Sequence, residues 1–156
     1  MRPHSTTVAG WREWVSLPDA DVRWIKAKLD TGARSSSLHA FDIEEFTRDD
    51  QRWVRFSVHP WQRSALDSRP CELPVHDVRS VRSSSGHSDT RYVVVMKVKL
   101  LGRIVRTEMT LARRDEMGFR MLIGRQALSK GFVVDSGQSY VGGRPKVSVR
   151  RKNRGA

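Results

Sequence analysis

Lys28-Leu29-Asp30-Thr31-Gly32-Ala33 brings one carboxylate from an apolar strand to a tight turn. Gly32 lets the backbone pass close to a neighbour or take an unusual φ. Thr31 sets a hydroxyl beside the acid, and small Ala33 leaves room at the floor of a cleft. A carboxylate held this way is well placed for proton transfer. Alone the triplet is a weak signal, because aspartates at strand ends commonly start turns.

Outward from this segment the apolar runs are short, and many are β-branched or aromatic, which predicts strands. Trp11 to Leu17 reads as the first, stopped by Pro18-Asp19, and Trp24 to Leu29 alternates as the second. Arg52 to His59 follows, and Pro60 to Pro74 reads as loop. Val75 to Val81, Tyr92 to Leu101 and Ile104 to Leu111 are further strands, with a glycine turn at Gly102. Phe132 to Asp135 and Ser139 to Val141 read as closing strands. The one helix candidate is Arg125 to Lys130, ended by Gly131. The expected fold is all-β: one lobe, a closed antiparallel barrel and one short helix.

A second motif changes the weight of the first. Met121-Leu122-Ile123-Gly124-Arg125 is an apolar run, then Gly-Arg, then the short helix. Here the chain resembles the retropepsins, one-lobed proteases that pair an apolar-Asp-Thr-Gly-Ala strand with a later apolar-apolar-Gly-Arg segment. The order of elements agrees as well, with a flap over about 78–94 and its tip at Ser83 to Asp89. The domain would then span 11–143, with an insertion at about 41–75. Residues 1–10 would form a flexible N-terminal tail and 144–156 a basic C-terminal one.

The chain is also similar to a bacterial family known as ATP-dependent zinc proteases, often encoded beside the glutamate ligase RimK. The similarity rests on Gly10 to Val15, Ala27 to Arg34, Ser37 to Ala40, Val81 to Ser84 and Arg114 to Arg125. It implies a retropepsin-like fold and removal of glutamates from a modified ribosomal protein. The zinc and ATP of that name find little support in the residues: no His-Glu-x-x-His and no phosphate loop occurs. His4, His39, His59, His76 and His87 are scattered, so no metal ligands and no cofactor are expected.

The retropepsin resemblance implies that Asp30, Thr31 and Gly32 are catalytic. Ala33, Arg34, Arg82, Ser83, Ser84, Ser85 and Gly86 would meet substrate, and Glu13, Gly124 and Arg125 would support the site. Aspartic peptidases use two facing carboxylates that share a proton. Asp135-Ser136-Gly137 is a poor second carboxylate, because only 19 residues follow it, too few for another lobe. A homodimer with Asp30 from each subunit is therefore expected. Retropepsins usually carry an acid after Asp-Thr-Gly-Ala and an arginine on the first strand. This chain has Arg34 and Glu13 there, so a charge-swapped Glu13–Arg34 pair is expected.

The formal net charge is +12 over 156 residues, which favours acidic partners such as glutamate-rich peptides. Six basic residues and no acid fall between Arg144 and Ala156. That tail reads either as a disordered solubilising end or as an arm that touches RNA, the ribosome or an acidic protein. The single cysteine, Cys71, excludes an intramolecular disulfide framework. No apolar run suits a membrane span or a signal peptide, so a cytoplasmic protein is expected. Two other function classes stay open: a non-catalytic basic barrel that binds RNA, ribosome or acidic peptide, and a zinc-dependent peptidase. With aromatics at 8%, and Trp11, Trp14, Trp24, Trp53 and Trp61 spaced like core residues, a base-stacking platform is disfavoured.

Overall fold

The computed structural model describes residues 6–62, 64–82, 86, 88–112 and 118–154, with the side chains of residues 81, 82 and 88 left out. The described strands are β1 (Thr7–Gly10), β2 (Arg12–Leu17), β3 (Val22–Leu29), β4 (Ser36–Arg48), β5 (Gln51–Val58) and β6 (Arg69–Pro74). They continue with β7 (Asp77–Arg82), β8 (Ser88–Leu100), β9 (Arg103–Ala112), β10 (Met121–Ile123) and β11 (Phe132–Asp135). Two single-turn α-helices, α1 (Arg125–Leu128) and α2 (Val147–Arg150), and two 3-10 turns, Pro18–Ala20 and Arg151–Arg154, complete the described elements.

Six strands close into a barrel in the order β3-β2-β8-β9-β4-β10 and back to β3. The fold is the expected all-β, single-lobed barrel of retropepsin type. Most pairings are antiparallel, but β4–β9 and β10–β3 are parallel. Alternation decides which side chains fill the barrel. On β3, Ile25, Ala27 and Leu29 point inward while Lys26 and Lys28 point out, and on β9 Val105, Met109 and Leu111 are buried. With Val15, Leu17, Val94, Met96 and Val98 they form one core. Each fully buried Val, Leu, Ile or Met contributes about 1.5–3 kcal/mol.

The segment expected as an insertion is the outer part of β4 with β5 and β6, a ribbon added to the barrel's edge. Two of its features break the pattern a sequence reading relies on. A bulge between Phe41 and Glu44, with Asp42 at φ 50°, interrupts the alternation of β4. β6 carries Pro70 and Pro74 inside what reads as a loop, yet it pairs with β5 throughout. As an edge strand it tolerates prolines that a central strand would not.

The ends of the chain are more ordered than expected. Thr7–Gly10, assigned to a tail by the sequence, pairs in parallel with Phe132–Asp135. Ser139 to Val141 is not a regular strand, although Trp11 N–H donates to Gln138 O and Tyr140 N–H to Arg12 O. The basic tail docks: Gln62 N–H donates to Asn153 Oδ1 at 3.0 Å, and Lys152 Nζ meets Asp67 Oδ2 at 2.6 Å. Lys152 also lies over the Trp61 ring. Trp14 and Trp61 are buried outside the barrel core, where Trp14 also packs on Trp24 and Tyr140.

The expected Glu13–Arg34 ion pair is absent. Glu13 is fully buried, and its carboxylate accepts from the N–H groups of Gly10 (2.7 Å), Val141 (3.0 Å) and Gly142 (3.0 Å). It supports the fold by tying the start of β2 to the segment after β11. Arg34 is exposed, and no carboxylate pairs with it among the described residues.

Two outcomes follow. Glu13→Ala strands the buried Gly10 N–H and removes the acceptor of the part-buried Val141 and Gly142 N–H groups, and should cost about 2–3 kcal/mol, read as a lower urea midpoint. Burial pushes the Cys71 thiol up to about 12, so the native protein should resist thiol-labelling reagents at pH 8 and label fully in denaturant.

Candidate active site

The site is built where β3 runs out. Leu29 N–H donates to Trp11 O and Asp30 N–H to Ile123 O, both at 2.8 Å. These bonds fix the Asp30 backbone between the entry to β2 and the end of β10. The chain then turns at once. Gly32 N–H donates to Asp30 Oδ1 at 2.9 Å, and Ala33 N–H to Asp30 O at 3.3 Å. A Cβ on Gly32 would lie 3.2 Å from Asp30 Oδ1, closer than most such contacts. The carboxylate is thus oriented by the turn it begins.

β10 holds the turn from below. It lies between β3 and β4, with Leu122 in register with Lys28 on one side and Ser37 on the other. Gly124 N–H then donates to Ser36 Oγ at 3.0 Å. Any Cβ at Gly124 would sit 2.4 Å from Ser35 O and 2.9 Å from Ala33 O. Arg125 N–H bonds Ala33 O at 2.7 Å and Gln126 N–H bonds Arg34 O at 3.0 Å. The first N–H groups of a helix have no partner within it, and here they clamp the carbonyls of the loop that carries Asp30. The Arg125 side chain is exposed.

Asp30 opens on a cleft of about 400 Å³, lined also by Lys28, Ala33, Arg34, Ser37, Arg79, Arg91 and Thr110. Asp30 is the one acid among the described lining residues, and four lining side chains are cationic. β7 and β8 pair as an antiparallel hairpin over the residues expected to form a flap, in register from Asp77↔Val93 to Arg82↔Ser88. The tip residues Ser83, Ser84 and Ser85 and the Arg82 side chain lie outside the described set. Gly86 is exposed at φ 85°.

The sequence reading missed Arg79 and Arg91. The signal was available in the flap pairing, which puts the two opposite each other and on one face. Arg79 is engaged by Asp77 (2.9 Å) and Glu108 (3.2 Å). Its bonds to Glu108, then to Asp77, raise it above its ordinary value, and bonding to Arg79 holds Glu108 low.

Asp135 repeats the local turn, with Gly137 N–H on Oδ1 at 2.9 Å. Its other oxygen accepts from Gln138 Nε2 at 2.8 Å, and these bonds, the Gly137 one first, hold it below the usual carboxylate range. It is a strand end closed by its own turn. Among the described residues no three of His, Cys, Asp and Glu gather to hold a metal ion.

A barrel with Asp-Thr-Gly seated on a threaded Gly-Arg segment is matched at the level of sequence family. Residues 8–145 match the RimB-like family, described as retropepsin-like aspartic endopeptidase RimB. The chain belongs to this family. Curated relatives include a probable α-L-glutamate ligase of Shewanella pealeana, 43% identical over 85% of this chain and 29% of its own length. Another of that name, from Desulfotalea psychrophila, is 42% identical over 82% of this chain and 28% of its own length. The chain thus spans less than a third of these relatives. A Legionella pneumophila protein of unknown function has a similar solved structure, with a TM-score of 0.74 and 27% identity over 88% of this chain and 99% of that one.

Gly124→Ala tests the threading. The added methyl meets backbone it cannot displace, so a loss of about 3 kcal/mol or failure to fold is expected, measured by urea unfolding.

Proposed function

We propose that this member of the RimB-like family is an aspartic peptidase that works as a homodimer on glutamate-rich chains. The observation that carries the reading is an oriented carboxylate, Asp30, in a cleft whose other described charged side chains are cationic. One carboxylate is half of the required pair, and a twofold axis through the site would supply the other. The two would titrate as a unit, one ionised and one protonated, because like charges so close cannot both ionise. The ionised carboxylate takes a proton from the attacking water. The protonated one donates to the scissile carbonyl. No covalent intermediate is required.

The substrate class follows from charge. Lys28, Arg34, Arg79 and Arg91 favour an acidic chain over a neutral one. The relatives named as glutamate ligases support the same class, since the segment they share with this chain would hydrolyse what a ligase adds. A glutamate-tailed ribosomal protein is such a substrate. Among the described residues no helix is long and apolar enough to cross a membrane, and the substrate we propose is a cytoplasmic one.

Wild-type protein should cleave a glutamate-extended peptide, and Asp30→Asn should lower the rate at least about 100-fold. Activity should persist with a chelator present. Activity that survives in Asp30→Asn would remove Asp30 from the mechanism, and activity lost only with chelator would favour a zinc peptidase. Binding without cleavage would favour a basic binding module.

A further inference from the structure

Arg79 and Arg91 are directly opposed across β7 and β8, and both line the cleft beside Asp30. Directly opposite like charges destabilise a sheet. For Arg79 the cost is offset by Asp77 and Glu108. Among the described residues Arg91 has no comparable partner. Its nearest described carboxylate oxygen, on the largely exposed Asp89, is 3.8 Å from Nε. Its side chain is only 25% exposed, and its buried Nε makes no hydrogen bond among the described residues.

A second residue with a polar atom of this kind lines the same cleft. Ser37 is 8% exposed, and its Oγ also makes no hydrogen bond among the described residues. Buried polar groups are normally bonded, and two residues that line one cleft and carry such atoms point to a ligand that bonds them. The ligand must be an anion to answer Arg91, and it must accept hydrogen bonds from both a guanidinium and a hydroxyl. A carboxylate does both.

We propose that Arg91 and Ser37 form a carboxylate-binding subsite that reads an acidic group of the substrate next to the bond being cut. The proposal rests on the reading of this cleft as the peptide-cleaving site, and it names the residues that select acidic chains. The guanidinium supplies charge and N–H donors, and the hydroxyl fixes the position of one oxygen. Because Arg91 sits on the flap, binding the carboxylate also couples flap position to substrate charge.

The test uses binding to the full chain carrying Asp30→Asn, so that turnover plays no part. Titration calorimetry compares a glutamate tetrapeptide with free C-terminus, the same peptide amidated, and an amidated glutamine tetrapeptide. Adding Arg91→Gln should weaken the amidated glutamate peptide at least about tenfold and leave the glutamine peptide unchanged. Arg91→Lys keeps the charge and should retain part of the preference, which guards against a folding defect in the first variant. An effect confined to the free-terminus peptide would assign the subsite to a terminal carboxylate. Equal weakening of glutamate and glutamine peptides, or no weakening, would overturn the subsite. A protein that prefers glutamate through Arg91 yet still cleaves with Asp30→Asn would retain the subsite and overturn the catalytic reading instead.

Discussion

The close passage of Gly124 beneath the Asp30 loop is the contact on which the site depends. With Ser35 O only 2.4 Å from where a Cβ would stand, no residue larger than glycine fits. That absence of a side chain lets β10 thread between β3 and β4 and close the barrel. It also brings the free N–H groups at the start of α1 onto the carbonyls of Ala33 and Arg34. The loop carrying the carboxylate is therefore held by backbone on both sides. Rigid backbone positions a reacting group better than a loop alone, and small misplacements are costly in rate.

Glu13 plays a corresponding part where β2 begins beside the end of β3. A buried carboxylate is costly unless hydrogen-bonded, and three backbone N–H groups satisfy this one. It joins the end of β1, the start of β2 and the turn after β11. Leu29 in turn bonds Trp11, one residue from that junction. Closure of the chain ends and placement of Asp30 are thus linked through a few residues of β2.

Much of this was legible in sequence. The Asp-Thr-Gly turn, the Gly-Arg segment and the flap hairpin each have local chemistry that survives without tertiary context. β4 was not legible, because the bulge at Asp42 breaks its alternation, and β6 was hidden by edge prolines. The role of Glu13 was misread because its partners are backbone groups, two of the three more than a hundred residues away, which no side-chain pattern encodes. Arg79 and Arg91 were missed because they matter only once the flap register sets them face to face. The tryptophans were placed in the core by spacing alone. Trp14 and Trp61 instead form a second cluster outside the barrel, covered in part by a tail whose Lys152 finds both Asp67 and an aromatic face.

In the proposed function each chain would supply one acid, Asp30, and the cationic residues that line its cleft would draw an acidic substrate to it. Its central claim is that two Asp30 carboxylates share one active site. The direct test mixes wild-type chains with Asp30→Asn chains, allows subunits to exchange, and follows peptide cleavage at fixed wild-type concentration. Activity per wild-type chain should fall in proportion to the wild-type fraction, because hybrid dimers carry a broken pair. Activity indifferent to the added mutant would mean that each chain works alone and would contradict the account.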